Sequence, residues 1–194
     1  MNKPHNHLHH VTPERAAEIE AAVIGRAETL NNTIHLADYS PDWPILFAQL
    51  ATDIRAALGD RVGLLEHVGS TSVPGLAAKP IIDIVLAVTD SSDERAYVPA
   101  LGALGYTLKV REPSWYEHRV LKLLSPAVNL HVFSVGCEEI NRMVTFRDWL
   151  RRHPEDKSLY ETTKRHLSQQ VWHYLQHYAD AKSAVVQEIM DRAM

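Results

Sequence analysis

The sequence predicts an α+β fold, in which helices pack on a β-sheet. Two apolar runs flank Ser125-Pro126-Ala127 and predict a hairpin. Apolar residues recur at helical spacing between Trp43 and Leu58 and again after Glu138, which predicts helices on both sides of the strand-like region in the sequence. Short apolar runs bounded by turn residues are typical of strands, and they lie at 62–68, 81–88, 106–110, 117–124 and 128–135.

The first 33 residues are expected to form an extension to one domain that spans 34–194. The extension begins with a polar tail that holds four histidines, so it is either a disordered tail or a metal-binding one. Thr12-Pro13-Glu14 then supplies a hydroxyl cap, a proline at the first helical position and an acid in the first turn. We predict a helix from this point to Asn31-Asn32.

Composition limits the classes of function. A chain of 194 residues suits one domain with an extension, and its net charge of −4 gives no electrostatic footprint for duplex nucleic acid. Cys137 is the single cysteine, which excludes an internal disulfide. No apolar run approaches about 18 residues, and the N-terminus lacks the apolar core of a signal peptide. We therefore expect a cytoplasmic protein with no membrane partner.

The stretch from Glu66 to Val88 is the most informative part of the chain. It has the pattern strand, turn, strand, and its turn begins with the small residues Gly69-Ser70-Thr71. Such a turn brings backbone N–H groups close to an anion, and hydroxyls add donors. Asp83 lies inside the second apolar run, where a charge is costly unless a partner compensates it.

Three segments of the sequence form a recognisable set: HVGSTSVPGLAAKPIIDI at 67–84, NLHVF at 129–133, and FRDWLRRHPED at 146–156 followed by Tyr160 and Lys164. Together they closely resemble the signature of the GrpB family, a bacterial family of nucleotidyltransferase-like fold. The resemblance covers the chain from about Ile34 to its C-terminus. It implies a nucleotidyltransferase-like mixed β-sheet, with a Gly-Ser turn after the first strand and a carboxylate on the next.

The resemblance also implies roles for single residues. In nucleotidyltransferases a Gly-Ser turn holds the triphosphate of the nucleotide, and Gly69, Ser70 and Thr71 take that place here. Active members usually carry two acids, two positions apart, that hold magnesium. Asp83 matches the first acid, but Val85 replaces the second. The sequence therefore leaves two possibilities open for Asp83, a metal ligand or the partner of a nearby base such as Lys79.

His131 could compensate for the missing acid. Strand alternation places Asn129, His131 and Phe133 on one face. If Asp83 shares that face, Asp83 and His131 are candidate catalytic residues and metal ligands, and His67 and His118 could join them around a divalent metal (Mg, Mn or Zn). The alternative for each histidine is a half-buried strand residue with an ordinary hydrogen bond.

Basic residues complete the candidate site. An arginine can grip phosphate through two bonds, and a lysine adds a point charge. Each of these side chains could instead pair with an acid, as Arg119 could with Glu117, and Arg147 could belong to a salt-bridged helix surface. The candidate phosphate ligands beyond the turn are Lys79, Arg119, Arg147 and Lys164.

Three functions follow from these motifs. The first is a metal-dependent nucleotidyl or phosphoryl transferase that acts on a small-molecule acceptor. The second is a degenerate transferase that still binds a nucleotide or phosphorylated small molecule. The third is a helper in coenzyme A biosynthesis, because GrpB-like domains occur fused behind dephospho-coenzyme A kinase in some bacteria. The chain has no GxxxxGK[ST] loop of its own, so it is not that kinase, and the sequence leaves the oligomeric state open.

Overall fold

A five-stranded mixed sheet forms the centre of the fold in the computed structural model, which describes residues 12–194. The strand order is β1-β2-β5-β4-β3. The central pair β2 and β5 is parallel, and the remaining neighbours are antiparallel. The predicted α+β fold with a mixed sheet is confirmed. The strands are β1 Leu64–Val68, β2 Ile82–Val88, β3 Thr107–Glu112, β4 His118–Leu123 and β5 Val128–Ser134.

Seven α-helices surround this sheet within the described residues. The predicted starts at Pro13 and Pro154 are confirmed, and Thr12 Oγ1 accepts a hydrogen bond from the backbone N–H of Arg15. The helices are α1 Pro13–Ala22, α2 Asp42–Leu58, α3 Val98–Ala103, α4 Glu138–Arg152, α5 Pro154–Ser168, α6 Leu175–Ala181 and α7 Ser183–Ala193.

The first helix is shorter than predicted. It ends at Ala22, because Val23 leaves the helix and forms a β-bridge with Val110 on the edge strand β3. The backbone N–H of Ile24 also donates to Lys109 O at 2.8 Å. An unpaired strand edge offers backbone partners that a helical sequence pattern does not reveal. The predicted histidine-rich tail, residues 1–11, lies outside the described residues.

The two faces of the sheet have different neighbours. One face, here called the core face, carries Ile84 and Leu86 of β2 and Leu130 of β5, which pack in one cluster with Ile54 and Leu58 of α2. Side chains alternate along a strand, so the intervening residues of β2 point to the opposite face. We call that opposite face the site face, because it carries Asp83.

Helices cover the site face only in part. Val85, Ala87 and Phe133 pack there against Ile140 of α4 and are fully buried. Asp83 lies at the start of β2, beyond this apolar cluster, and 30% of its side chain is exposed. The site face is therefore sealed along most of β2 and open at the end where the carboxylate lies.

Candidate functional site

The turn after β1 begins directly opposite Asp83. Val68, the last residue of β1, pairs with Asp83, and Gly69 follows with φ 68° and ψ −172°. A Cβ added to Gly69 would lie 2.5 Å from Oδ2 of Asp83, closer than real Cβ contacts allow. Residue 69 must therefore be glycine both for its backbone conformation and for the space that the carboxylate needs.

Asp83, Asn129 and His131 lie side by side on the site face. In the parallel pair β2–β5, Asp83 is opposite Asn129 and Val85 is opposite His131. Asn129 Nδ2 donates to Asp83 Oδ1 at 2.8 Å, and His131 Nε2 lies 3.9 Å from the same oxygen. Burial opposes ionisation of Asp83, but the charge of His131 in its doubly protonated form, together with Asn129 and Lys79, outweighs it, and the pKa of Asp83 is lowered. The condition that the sequence analysis placed on these residues, a shared face, is met.

Basic side chains from four separate segments interact electrostatically with this carboxylate or with one another. The charge of Asp83 acts on Lys79, which precedes β2, and on Lys182, between α6 and α7. Lys122 of β4 pairs with Asn129 across the strands, and its charge acts on Lys79. Lys164 of α5 is coupled to both Lys79 and Lys182. We call Lys79, Lys122, Lys164 and Lys182 the lysine cluster.

Lys164 connects the lysine cluster to the glycine-serine turn. Its Nζ donates to Ser70 Oγ at 3.0 Å and to the backbone carbonyl of Ala77. The amine also lies 4.9 Å from the ring centroid of Tyr160, and only 2% of the residue is exposed. Burial raises the pKa of the Tyr160 hydroxyl, and an interaction with Ser70 opposes that shift. Ser70 thus accepts a bond from the Lys164 amine and lies near the Tyr160 phenol at the edge of the open site.

The lysine cluster is electrostatically strained. Burial lowers the pKa of Lys164 to about 7, and Lys182 and Lys79 add to the effect. Burial likewise lowers the pKa of Lys79 and of Lys182 to about 8, although Asp83 opposes both shifts. Asp83 raises the pKa of Lys79 and Lys182, and Glu161 raises that of Lys164, but neither carboxylate outweighs the burial of the amines.

Aromatic rings line the same site. Lys182 Nζ lies 4.6 Å and Lys79 Nζ 5.9 Å from the ring centroid of Tyr178, a distance at which a cation is attracted to the ring. Sequence reasoning missed Tyr178 and Lys182, which lie in or next to a short helix with no motif. It placed Asn129 on the correct face but assigned it no role. The same alternation that selected His131 could have assigned that role.

His67 and Thr71 are directed away from Asp83. His67 pairs with Ile84, so it points to the core face, where its ring stacks on Phe47 at 4.8 Å. Its Nε2 lies 3.0 Å from Thr71 Oγ1, and Thr71 is buried. The structure therefore does not bring His67 into a cluster with Asp83 and His131, because one step along a strand reverses the face. Nor does the Thr71 hydroxyl face the open site.

Arg119 does not face the site. It pairs with Val132 of β5, and its Nε donates to Glu94 Oε1 at 2.7 Å. Its Nη2 lies 3.2 Å from Glu117 Oε2, so the acid partner that the sequence offered is the one observed. A guanidinium held by two carboxylates is not free for phosphate.

Arg147 is also engaged within the protein. Its Nη1 donates to Glu66 Oε2 at 2.7 Å and to the backbone carbonyl of His67 at 2.8 Å, and its Nε donates to Asp148. The side chain is largely buried. One turn later Arg151 donates twice to Ser72 O, within the turn. These two arginines of α4 fasten β1 and the turn instead of lining the open site.

His118 reaches His131 rather than Asp83. Its Nε2 lies 3.1 Å from His131 Nδ1, and its Nδ1 lies 2.7 Å from Glu112 Oε2. Phe133 stacks on the His118 ring at 4.5 Å, and Trp115 contacts it edge-on at 5.0 Å. His118 therefore extends the Asp83–His131 pair toward the edge strand.

The donor set around Asp83 does not form a metal site by itself. Within residues 12–194, no group of three or more His, Cys, Asp or Glu side chains is arranged to hold a metal ion. Asp83 is the one carboxylate at this point, it already accepts a bond from Asn129, and the lysine cluster would repel a cation. These residues fit an anion better than a resident metal.

Comparisons with known proteins agree with the fold and the motifs. The family model described as GrpB protein matches residues 33–192. A UPF0157 protein of Halalkalibacterium halodurans is 54% identical over 182 residues, which are 94% of this chain and 93% of that protein. The crystal structure of conserved protein GrpB from Enterococcus faecalis matches with a TM-score of 0.69 at 28% identity, over 82% of this chain and 96% of that one.

A more distant relative carries an enzyme name. A dephospho-CoA kinase of Mycolicibacterium paratuberculosis is 28% identical over 162 residues, which are 70% of this chain and 40% of that protein. None of the helices described between residues 12 and 194 is long and apolar enough to cross a membrane.

Proposed function

The chain belongs to the GrpB family, and on that premise we propose that its lysine cluster binds the phosphate groups of a nucleotide or another phosphorylated small molecule. The observation that supports this most strongly is the position of Lys79 and Lys182, whose amines lie over the ring of Tyr178 and whose charges interact with a carboxylate that is still open to solvent. No duplex nucleic acid or membrane enters the proposal.

Charge favours a multiply anionic ligand. In the free protein the amines of Lys79, Lys164 and Lys182 are partly buried and repel one another, and their lowered pKa values express that cost. Phosphate oxygens would stabilise the protonated amines through charge-assisted bonds. The hydroxyl of Ser70 and the exposed backbone at Gly69 lie at the same opening and can add donors.

Calorimetry with pyrophosphate and with metal-free ATP tests the proposal. We expect binding by the wild type and a loss of about tenfold or more in Lys182→Met, since one charge-assisted bond is worth about 1.5 kcal/mol or more. Lys109→Met is the matched control, because Lys109 lies on β3, three strands from β2. Absence of binding by the wild type, or equal losses in both variants, would rule the proposal out.

Asp83→Asn distinguishes two roles of the carboxylate. If Asp83 balances the charge of the lysine cluster, its removal should tighten binding of metal-free ATP. If it holds a divalent metal with the nucleotide, its removal should weaken ATP binding in the presence of magnesium, manganese or zinc and leave metal-free binding unimproved. The two roles predict opposite changes in affinity, so the same titration with and without each metal separates them.

A second candidate is nucleotidyl or phosphoryl transfer to a small acceptor. The observation that favours it is the pairing of Asp83 with His131 beside the lysine cluster, because a histidine next to a carboxylate can accept a proton from an acceptor hydroxyl. Phosphorus NMR of ATP incubated with the protein and candidate alcohols tests it. The reaction should form a phosphorylated acceptor, and His131→Gln should abolish it while retaining ATP binding.

The similarity to a dephospho-CoA kinase suggests one ligand to test first. A role next to that enzyme would require the site to take a phosphorylated intermediate of coenzyme A synthesis. Dephospho-coenzyme A should then bind more tightly than pyrophosphate in the same calorimetric assay. Equal affinities would argue against this specialised role and leave general phosphate binding in place.

A further inference from the structure

A hydrogen-bonded chain crosses the sheet from the edge strand to the site. It begins at Glu112 on β3, passes through His118 on β4 and His131 on β5, and ends beside Asp83 on β2. The successive separations are 2.7 Å, 3.1 Å and 3.9 Å. The first two are hydrogen bonds, whereas the last is too long for one.

The chemistry of these groups fixes where the protons lie. An ionised carboxylate only accepts hydrogen bonds, so His118 must donate its Nδ1–H to Glu112. A neutral His118 then has a bare Nε2, which accepts a bond from His131 Nδ1–H. His131, if neutral, is left with a bare Nε2, and this is the nitrogen that faces Asp83.

The surroundings keep Glu112 ionised and His118 neutral. The bond with His118 lowers the pKa of the Glu112 carboxyl. Burial lowers the pKa of His118, more than Glu112 raises it. The two imidazole planes are nearly parallel, with 8° between them, and Phe133 stacks on the His118 ring. The packing therefore holds the His118 ring in the orientation in which it bonds both Glu112 and His131.

We propose that Glu112 and His118 are positioning residues that hold His131 as its Nδ1–H tautomer and so make His131 Nε2 the proton acceptor of the site. The 3.9 Å gap between Nε2 and Asp83 Oδ1 separates two acceptors, and it is where a hydroxyl of an alcohol acceptor would donate. The role of His131 as a base rests on the transfer reaction proposed above, whereas the assignment of its tautomer does not depend on that reaction.

The hydrogen-bonded residues also provide a path along which the proton can leave the site. When the acceptor O–H bond breaks, the proton forms an N–H bond at His131 Nε2. The Nδ1 proton of His131 passes to His118 Nε2, and the Nδ1 proton of His118 passes to the carboxylate of Glu112. Glu112 is 34% exposed and can release a proton to water, whereas His118 is almost fully buried. Atoms and charge balance without a further reactant.

Imidazole nitrogen NMR on histidine-labelled full-length protein tests the proposal at a pH where the histidines are neutral. We expect the wild type to show Nδ1–H tautomers for His118 and His131. Glu112→Ala should shift His131 toward the Nε2–H tautomer, whereas Glu112→Gln should keep the wild-type tautomers, because the amide oxygen can still accept from His118. Glu117→Ala is the control, since Glu117 pairs with Arg119 away from this chain.

A wild-type His131 that carries its proton on Nε2 would overturn the proposal, and so would an unchanged tautomer in Glu112→Ala. If Glu112→Ala does not fold, the wild-type spectrum still decides the matter. Calorimetry with metal-free ATP on the Glu112 variants separates this proposal from the proposed function. If Glu112→Ala changes the His131 tautomer and still binds ATP, both the tautomer assignment and the proposed phosphate binding are supported. If the wild type binds no ATP, the proposed function is excluded but the tautomer assignment is not.

Discussion

Lys164 Nζ lies 3.0 Å from Ser70 Oγ, although 94 positions separate the two residues in the chain. This bond joins helix α5 to the glycine-serine turn and brings a buried amine to the open end of β2. Because the amine is buried among other lysines, the turn is expected to respond to both pH and anions.

Lys164 should make the stability of the fold depend on pH. Its folded pKa of about 7 lies below the unfolded value of about 10.4, so the unfolded chain binds more protons between these values. The contribution of Lys164 to the free energy of unfolding is therefore least favourable below pH 7 and becomes more favourable toward pH 10. Chemical denaturation at several pH values should show that the free energy of unfolding of the wild type, minus that of Lys164→Met, increases with pH.

The matched control for this measurement is Lys157→Met, on the same helix, where the amine reaches the carbonyl of Pro74 at the surface. That variant should follow the pH slope of the wild type. A Lys164→Met variant that also keeps the wild-type slope would contradict the prediction.

Anion binding should take up protons at alkaline pH. Lys79 and Lys182 have pKa values of about 8, and a bound phosphate would raise them because it stabilises the protonated amines. We expect the affinity for metal-free ATP to fall as pH rises from 7 to 9. At pH 8 the heat of binding should depend on the ionisation enthalpy of the buffer. Identical heats in different buffers would show that no lysine changes its protonation.

Gly69→Ala should damage the site more than the fold. A Cβ at this positive φ would press on the Asp83 carboxylate, so we expect a loss of about 1–3 kcal/mol in unfolding free energy together with weaker ATP binding. Gly105→Ala is the control, since Gly105 also has a positive φ, of 91°, but lies next to Leu123. It should lose similar stability and bind ATP normally. If both variants bind ATP as the wild type does, Gly69 has no role in the site.

Arg147→Ala should lower stability and leave ligand affinity nearly unchanged. The substitution removes the donor that pairs with Glu66 and with the backbone carbonyl of His67, and we expect a cost of about 2 kcal/mol. Arg142→Ala, which removes an exposed guanidinium that pairs with Glu139 on the same helix, should cost less than about 1 kcal/mol. Thermal melts and ATP titrations measure both effects. If Arg147→Ala is stable but no longer binds ATP, Arg147 is a phosphate ligand and not a structural residue.

The sequence predicted the local parts of this protein well. Alternation along β2 and β5 placed Asp83 and His131 on strand faces, and the small residues at Gly69-Ser70 predicted the turn. These features depend on short-range geometry, since a strand has a period of two and a positive φ favours glycine. The start of α1 at Thr12-Pro13 was predicted for the same reason.

The sequence could not identify which charges are free. Arg119, Arg147 and Lys79 were equivalent candidates, yet both arginines are held by acids from distant segments, whereas the charge of Lys79 interacts with that of Asp83. Likewise, the lysine cluster draws on four elements, and no motif contains Lys182.

By itself, therefore, the sequence determined the strands, the turn, which side chains of a strand share a face, and the family. Only the tertiary structure decided that His67 lies on the core face, that Glu112 and His118 continue the Asp83–His131 pair, and that Lys182 joins Lys79 in interacting with the carboxylate. The physical reason is that a residue's backbone conformation is set by its neighbours in the chain. Its electrostatic partners are set by packing between elements that are far apart in sequence.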